Sequence, residues 1–197
     1  MEDPVKRILG LAILAAVAGR PVAAQEKTMA PTPSPRAAQA LVDDAVAKAA
    51  AGNKGVLVKF GASWCGWCHK FDKFLDDTTG VGAIMRNNFE IVGLTVLETA
   101  KFKPLENPGG VELAKAMGGD VTKIGIPFFF MLDNKGKETG NSMAMPDKSN
   151  VGMPDFPVEV TAFMDLLRAT APRLTDAERT KIKDYLDLVA GRPKVIP

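Results

Sequence analysis

Cys65 and Cys68 are the only cysteines of this 197-residue chain, and His69, which follows at once, is its only histidine. Two thiols three positions apart can do three kinds of chemistry. They can exchange electrons as a dithiol–disulfide pair, hold a soft metal such as Cu(I), or close a short structural bridge. Zinc would need a third and fourth ligand that one histidine does not supply. Copper could draw on Met143, Met145 and Met153, which cluster in a loop-like stretch, although methionines in such stretches commonly just fill gaps. A bridge across so short a loop makes a poor staple. On a helix, His69 points about 100° away from Cys68, so a solvent-facing ring is expected rather than a metal ligand or proton donor. Lys59 is the anomaly. It stands in an apolar segment six residues before Cys65, where its ammonium must find water, an anion or a thiolate. Either its stem packs while the ammonium snorkels to solvent or to a carboxylate, or the cation stabilises a Cys68 thiolate.

The elements that must position these residues follow from periodicity. Leu41, Val42, Ala45, Val46 and Ala49 recur at helical spacing, and Gly52-Asn53 ends the pattern. Val56–Phe60, Ile91–Leu97 and Pro127–Leu132 are near-continuous apolar runs, as expected of central strands covered on both faces. In the first, Val56, Val58 and Phe60 share one face, and Leu57 and Lys59 the other. Phe71, Phe74 and Leu75 mark a helix after the cysteines, with a second short helix near Val81–Arg86 and a third at Gly110–Met117. Asp133-Asn134-Lys135-Gly136 signals a turn into an edge strand around Lys137–Ser142. Val160, Phe163, Met164 and Leu167 give an amphipathic helix over Val158–Thr170. Thr175 and Glu178 have capping-box spacing and open a last helix with Ile182, Tyr185, Leu186 and Val189 as its stripe and Gly191 as its stop. The order is α/β, with one parallel crossover and a terminal hairpin.

Composition is that of a globular protein, 46% hydrophobic and 24% charged, which excludes wholesale disorder. A formal charge of +2 gives no case for nucleic acid or another strongly charged partner. Lys6 and Arg7, the apolar run Ile8–Ala18 and the small residues Val22-Ala23-Ala24 follow the order of a secretory signal peptide cleaved after Ala24. Glu2 and Asp3 are atypical of such a start. The run is far short of the ~20 residues a membrane span needs. Gln25–Pro35, with Pro31, Pro33 and Pro35 at alternate positions, is expected to be an extended linker.

The stretch Phe60-Gly61-Ala62-Ser63-Trp64-Cys65-Gly66-Trp67-Cys68-His69-Lys70 joins the first core strand to a helix, and Gly125-Ile126-Pro127 opens a later strand. On these residues the chain resembles the thioredoxin superfamily, in particular its secreted bacterial members, over about Arg36 to Ala171. The resemblance implies a thioredoxin-like fold, a central mixed sheet flanked by helices, with an extra C-terminal helix. The expected organisation is a signal peptide at 1–24, a linker at 25–35, the thioredoxin-like domain at 36–171 and a helical extension at 172–197. It also implies an exported thiol-disulfide oxidoreductase, periplasmic in a Gram-negative source and otherwise secreted.

Cys65 would be the exposed nucleophile, its thiolate favoured by the amides and dipole of the helix start. Cys68 would resolve the mixed disulfide. Gly66 and Trp67 would set the geometry and the balance of dithiol and disulfide. Reductases of this family commonly carry proline where this chain has Trp67, so the direction of exchange stays open. Pro127 would be cis and keep the site open, Ile126 would pair through its backbone with an extended substrate, Trp64 would pack beside the site and Trp67 would touch substrate. Where the family usually has a buried acid, this chain has Lys59, a possible modulator of Cys68. Copper-delivery relatives use a distant histidine that is missing here. The expected partners are protein or peptide thiols and disulfides, with room for a membrane thiol electron donor. No cofactor, metal, nucleic acid or lasting membrane anchor is expected. A non-catalytic binding domain and a periplasmic copper carrier are the alternatives.

Overall fold

The computed structural model describes residues 35–78 and 80–191. The expected signal peptide and almost all of the linker therefore lie outside the described residues. Helix α1 (Ala38–Gly52) leads into β1 (Gly55–Gly61). Then come α2 (Gly66–Asp76), α3 (Val81–Asn88), β2 (Phe89–Thr95), α4 (Gly110–Ala116), α5 (Val121–Ile124), β3 (Phe128–Leu132), β4 (Glu138–Asn141), α6 (Pro157–Thr170) and α7 (Asp176–Ala190), with one 3-10 turn at Lys103–Leu105. The strands lie in the order β2-β1-β3-β4. β1 pairs with β2 in parallel and with β3 antiparallel, and β3 pairs antiparallel with β4. This is the α/β thioredoxin-like architecture expected, with one parallel crossover and a terminal hairpin.

Side-chain alternation along the strands divides the core in two. Val56, Val58 and Phe60 of β1 and Phe128, Phe130 and Leu132 of β3 face the layer of α1, α4 and α5, where Ala38, Val42, Ala45 and Ala49 are buried. Leu57, Phe129 and Met131 face the opposite layer, formed by α2, α3, α6 and α7. There Phe71 stands 5.2 Å from Phe129, and Phe163 stands 5.8 Å from Phe129 at a steep angle. Fully burying each such ring is worth roughly 1.5–3 kcal/mol, so α2 sits on a firm base. That firmness fixes the first turn of α2, where the cysteines are.

The structure corrects the sequence reading in two places. β2 begins at Phe89 and ends at Thr95, two residues before the expected end, because Leu97 adopts a left-handed backbone with φ 55° and turns the chain away from the sheet. β2 is also an edge strand with a half-buried profile, not a central one. The short helix α5, just before Pro127, was not expected. At the other end, the extra C-terminal helix is present as α7. Ile182 and Leu186 are fully buried in the same core as α2 and α6. Among the described residues no helix is long and apolar enough to cross a membrane.

Candidate active site

The parallel pairing of β1 with β2 brings the end of one beside the end of the other, Gly61 opposite Thr95. The chain between β1 and α2 is thereby held at the carboxyl edge of the sheet. Cys65 is the N-cap of α2, and its sulfur accepts a hydrogen bond from the Cys68 amide at 3.1 Å. Backbone donors at a helix start favour negative charge on that sulfur. Cys65 and Cys68 form a disulfide with a Cα–Cα distance of 5.2 Å. The peptide bond from Ile126 to Pro127 is cis, and the Ile126 carbonyl oxygen lies 3.6 Å from the Cys65 sulfur. Ile126 packs on Ala62, Cys65 and Cys68 in a small apolar cluster.

In the disulfide form, the expected contrast of an exposed Cys65 and a buried Cys68 is not found. Cys65 is 4% exposed and Cys68 2%. What separates the two sulfurs is their surroundings. Cys65 lies against the Ile126 carbonyl, and Ile126 in turn lines a groove of about 320 Å³ with Trp67, Pro127, Gly152, Met153 and Phe156 among others. Cys68 lines a second cavity of about 300 Å³, together with Lys59, Gly61, Ser63, His69, Asp72 and Glu98 among others.

The residues expected to meet substrate divide accordingly. Trp67, Ile126 and Pro127 line the first groove. Trp67 is 42% exposed, with the Lys70 ammonium 3.9 Å from its ring centre, and Asn150 donates to the Pro127 carbonyl at 3.0 Å. Gly66, the first residue of α2, is exposed. Trp64 does not pack down beside the site. It is 56% exposed, tethered by its indole N–H to the Leu97 carbonyl at 2.8 Å. His69 is exposed, as expected, with its Nε2 2.8 Å from the Ser63 carbonyl oxygen. The three methionines of the copper reading are dispersed: Met143 packs on one core cluster, and Met145 and Met153 on the other. Among the described residues no three of His, Cys, Asp and Glu gather as a metal-holding group.

Two carboxylates of the site went unread in the sequence. Glu98, 8% exposed, accepts from the Ser63 amide at 2.6 Å and from the Ser63 hydroxyl at 2.7 Å. Asp72 forms an ion pair with Lys59. Asp72 could have been found from helical register, four residues after Cys68; Glu98 carries no such local signal.

Residues 37–134 match a family model described as thioredoxin-like. No curated protein matches the chain. Among solved structures it is similar to a disulphide isomerase from Xylella fastidiosa Temecula1, with 23% identity, 82% of this chain and 98% of that chain covered, and a TM-score of 0.45. It is also similar to a single-site mutant of thioredoxin from Halobacterium salinarum, with 19% identity, coverage of 71% and 96%, and a TM-score of 0.37. A third is the C-terminal domain of DsbD from Neisseria meningitidis in its oxidised form, with 22% identity, coverage of 55% and 84%, and a TM-score of 0.36. With a family match that runs from α1 through β3, the mixed sheet in this order, and a cysteine pair capping the helix after β1, the chain belongs to the thioredoxin superfamily.

Proposed function

We propose that the protein is an exported thiol-disulfide oxidoreductase that exchanges disulfides with protein or peptide thiols through Cys65 and Cys68. The observation that carries this reading is the disulfide at the first turn of α2, with the Cys65 sulfur 3.6 Å from the carbonyl oxygen of Ile126, a residue that lines the groove beside Pro127. A client segment lying along that groove would pair with the Ile126 backbone and present its sulfur to Cys65, with Trp67 as an apolar wall. In the reducing direction the Cys65 thiolate attacks a client disulfide, one client sulfur leaves, and Cys68 then displaces the other from Cys65. In the oxidising direction the same steps run backwards.

Cys68→Ser should trap a mixed disulfide with clients, seen as a thiol-sensitive band on non-reducing gels, whereas Cys65→Ser should trap none. Equal trapping by Cys65→Ser would sink the assignment of the two sulfurs. Direction is read from the equilibrium potential of the pair in glutathione buffers. A strongly reducing value fits a reductase fed by a membrane thiol donor, and a mildly oxidising one fits an oxidase or isomerase. Export rests on the charge, apolar and small-residue order of residues 1–24. The chain recovered from the exported fraction should begin at Gln25, and exclusive recovery from the cytosol with Lys6 and Arg7 still attached would defeat that part.

A further inference from the structure

We infer that Lys59 and Asp72 form an oriented charge pair that favours the thiolate of Cys68, with the ammonium as the inner pole and Asp72 as the residue that positions it. The inference rests on the thiol–disulfide reading above and deepens it by assigning what tunes the resolving sulfur.

The Lys59 side chain is 9% exposed and its partner Asp72 40%. The pair therefore has a buried positive end and a wet negative end. Cys68 and Asp72 are four residues apart on α2 and share a face. Gly61 lies across from them, and a side chain at Gly61 would begin 3.2 Å from the Cys68 sulfur and 3.9 Å from the Lys59 ammonium. The absence of a side chain there leaves the ammonium and the sulfur on either side of one small space, and the cavity lining joins Lys59, Gly61, Cys68 and Asp72.

The other ionisable groups facing this cavity are His69 from α2 and Glu98 from the segment after β2. Both are bound to Ser63, His69 at its carbonyl oxygen and Glu98 at its amide and hydroxyl. Cys65 is the disulfide partner itself. A buried ammonium must be paired to be tolerated. Because Asp72 pairs with it from the solvent side, water and salt screen the carboxylate more than the ammonium. At Cys68 the positive charge prevails, and a nearby opposite charge favours the charged form of a thiol.

The step served is resolution. The Cys68 thiol gives its proton to solvent, and the thiolate attacks the Cys65 sulfur of the mixed disulfide. The bond between Cys65 and the client sulfur breaks as the Cys65–Cys68 bond forms. The client sulfur departs with the electron pair and takes a proton from solvent, so two electrons pass from the dithiol to the client.

The test begins with Cys68 as the sole thiol, in Cys65→Ser, titrated by the ultraviolet absorbance of the thiolate. Adding Lys59→Met should move the midpoint up by about one pH unit. Adding Asp72→Asn should move it down, and Lys59→Arg should leave it near the parent. Opposite signs are the signature of a charge pair, since a loosened fold would move both variants the same way. With both cysteines present, glutathione release from the reduced protein at saturating oxidised glutathione and pH 7 should slow about threefold in Lys59→Met. Thiolates become about tenfold fewer, but each is more nucleophilic. The pH midpoint of that rate should rise with the titration.

An unmoved midpoint in Lys59→Met, or shifts of the same sign in the two variants, would overturn the inference. A rise in Lys59→Met with no shift in Asp72→Asn would overturn the part given to Asp72. A parent protein that titrates as expected but never releases glutathione would instead overturn the exchange reading and leave the charge pair standing.

Discussion

Glu98 grips the segment in front of Cys65 with both oxygens of its carboxylate, one on the Ser63 amide and one on the Ser63 hydroxyl. One residue earlier the Leu97 carbonyl holds the Trp64 indole. The two residues that precede Cys65 are thus tied to the segment that follows β2 rather than to their own helix. A hydrogen bond to a charged group contributes about 1.5–3 kcal/mol net. Glu98→Ala should lower unfolding stability by about that much in urea titrations. Glu98→Gln can still accept from the amide and turn its own NH2 to the hydroxyl, so it should lose clearly less. Equal losses in both would mean that the contact is worth little and that packing alone holds Ser63. The cysteines and the odd Lys59 were legible because each is defined by local spacing or by one residue type in a strand, and the cis Pro127 was implied by the family resemblance that Gly125-Ile126-Pro127 helps to carry. Glu98 was not, because its partner is 35 residues away and only the parallel pairing of β1 and β2 brings them together.

Helix α7 turns the C-terminal segment into part of the domain. Ile182 and Leu186 are fully buried beneath it, and the Tyr185 ring lies 5.7 Å from Phe74 of α2. Its start is set by reciprocal bonds in which the Thr175 hydroxyl accepts from the Glu178 amide and Glu178 accepts from the Thr175 amide. The sequence showed both the cap and the stripe, but a stripe does not say which surface it covers; the structure seats it in the core with α2 and α6. Leu186→Ala should cost about 2–5 kcal/mol through lost burial and a residual cavity. Leu188, 62% exposed on the same helix, should change stability by no more than about 0.5 kcal/mol when made alanine. Comparable losses at the two positions, measured by chemical denaturation, would show that α7 is not docked as described. The end of β2 was misjudged for a related reason. Val96 is apolar and buried, which satisfies a strand pattern, but it is the last residue of this segment to bond β1. Its amide bonds the Gly61 carbonyl at 2.8 Å as the chain turns at Leu97.

Across the whole molecule, the acid limit of the fold should be set by carboxylates that brace turns and caps. The Lys137 and then the Lys135 amides hold the Asp133 carboxyl below its ordinary value in the turn between β3 and β4. Thr175, first by its amide and then by its hydroxyl, does the same for Glu178 at the start of α7. Ser149 lowers Asp147, hydroxyl before amide, in the loop that leads toward α6, and the Thr122 hydroxyl leads the causes at Asp120, ahead of α5. Each carboxylate is better stabilised when charged in the folded chain than in the unfolded one, so the unfolded state binds protons first as pH falls. The stabilisation is therefore present above the ordinary carboxylate range near pH 4 and is lost as pH drops through the lower folded values. Thermal midpoints should be nearly flat from about pH 8 to 5 and should decline below about pH 4. Asp133→Asn removes one of these groups from the titration while its amide oxygen keeps a weaker acceptor in the turn. The variant should melt lower than the parent at pH 7, and the gap should narrow steadily as pH falls toward about 2.5. Melting curves followed by circular dichroism at half-unit steps would check this, and a gap that stays constant across the range would rule out the Asp133 charge as the source of that acid sensitivity.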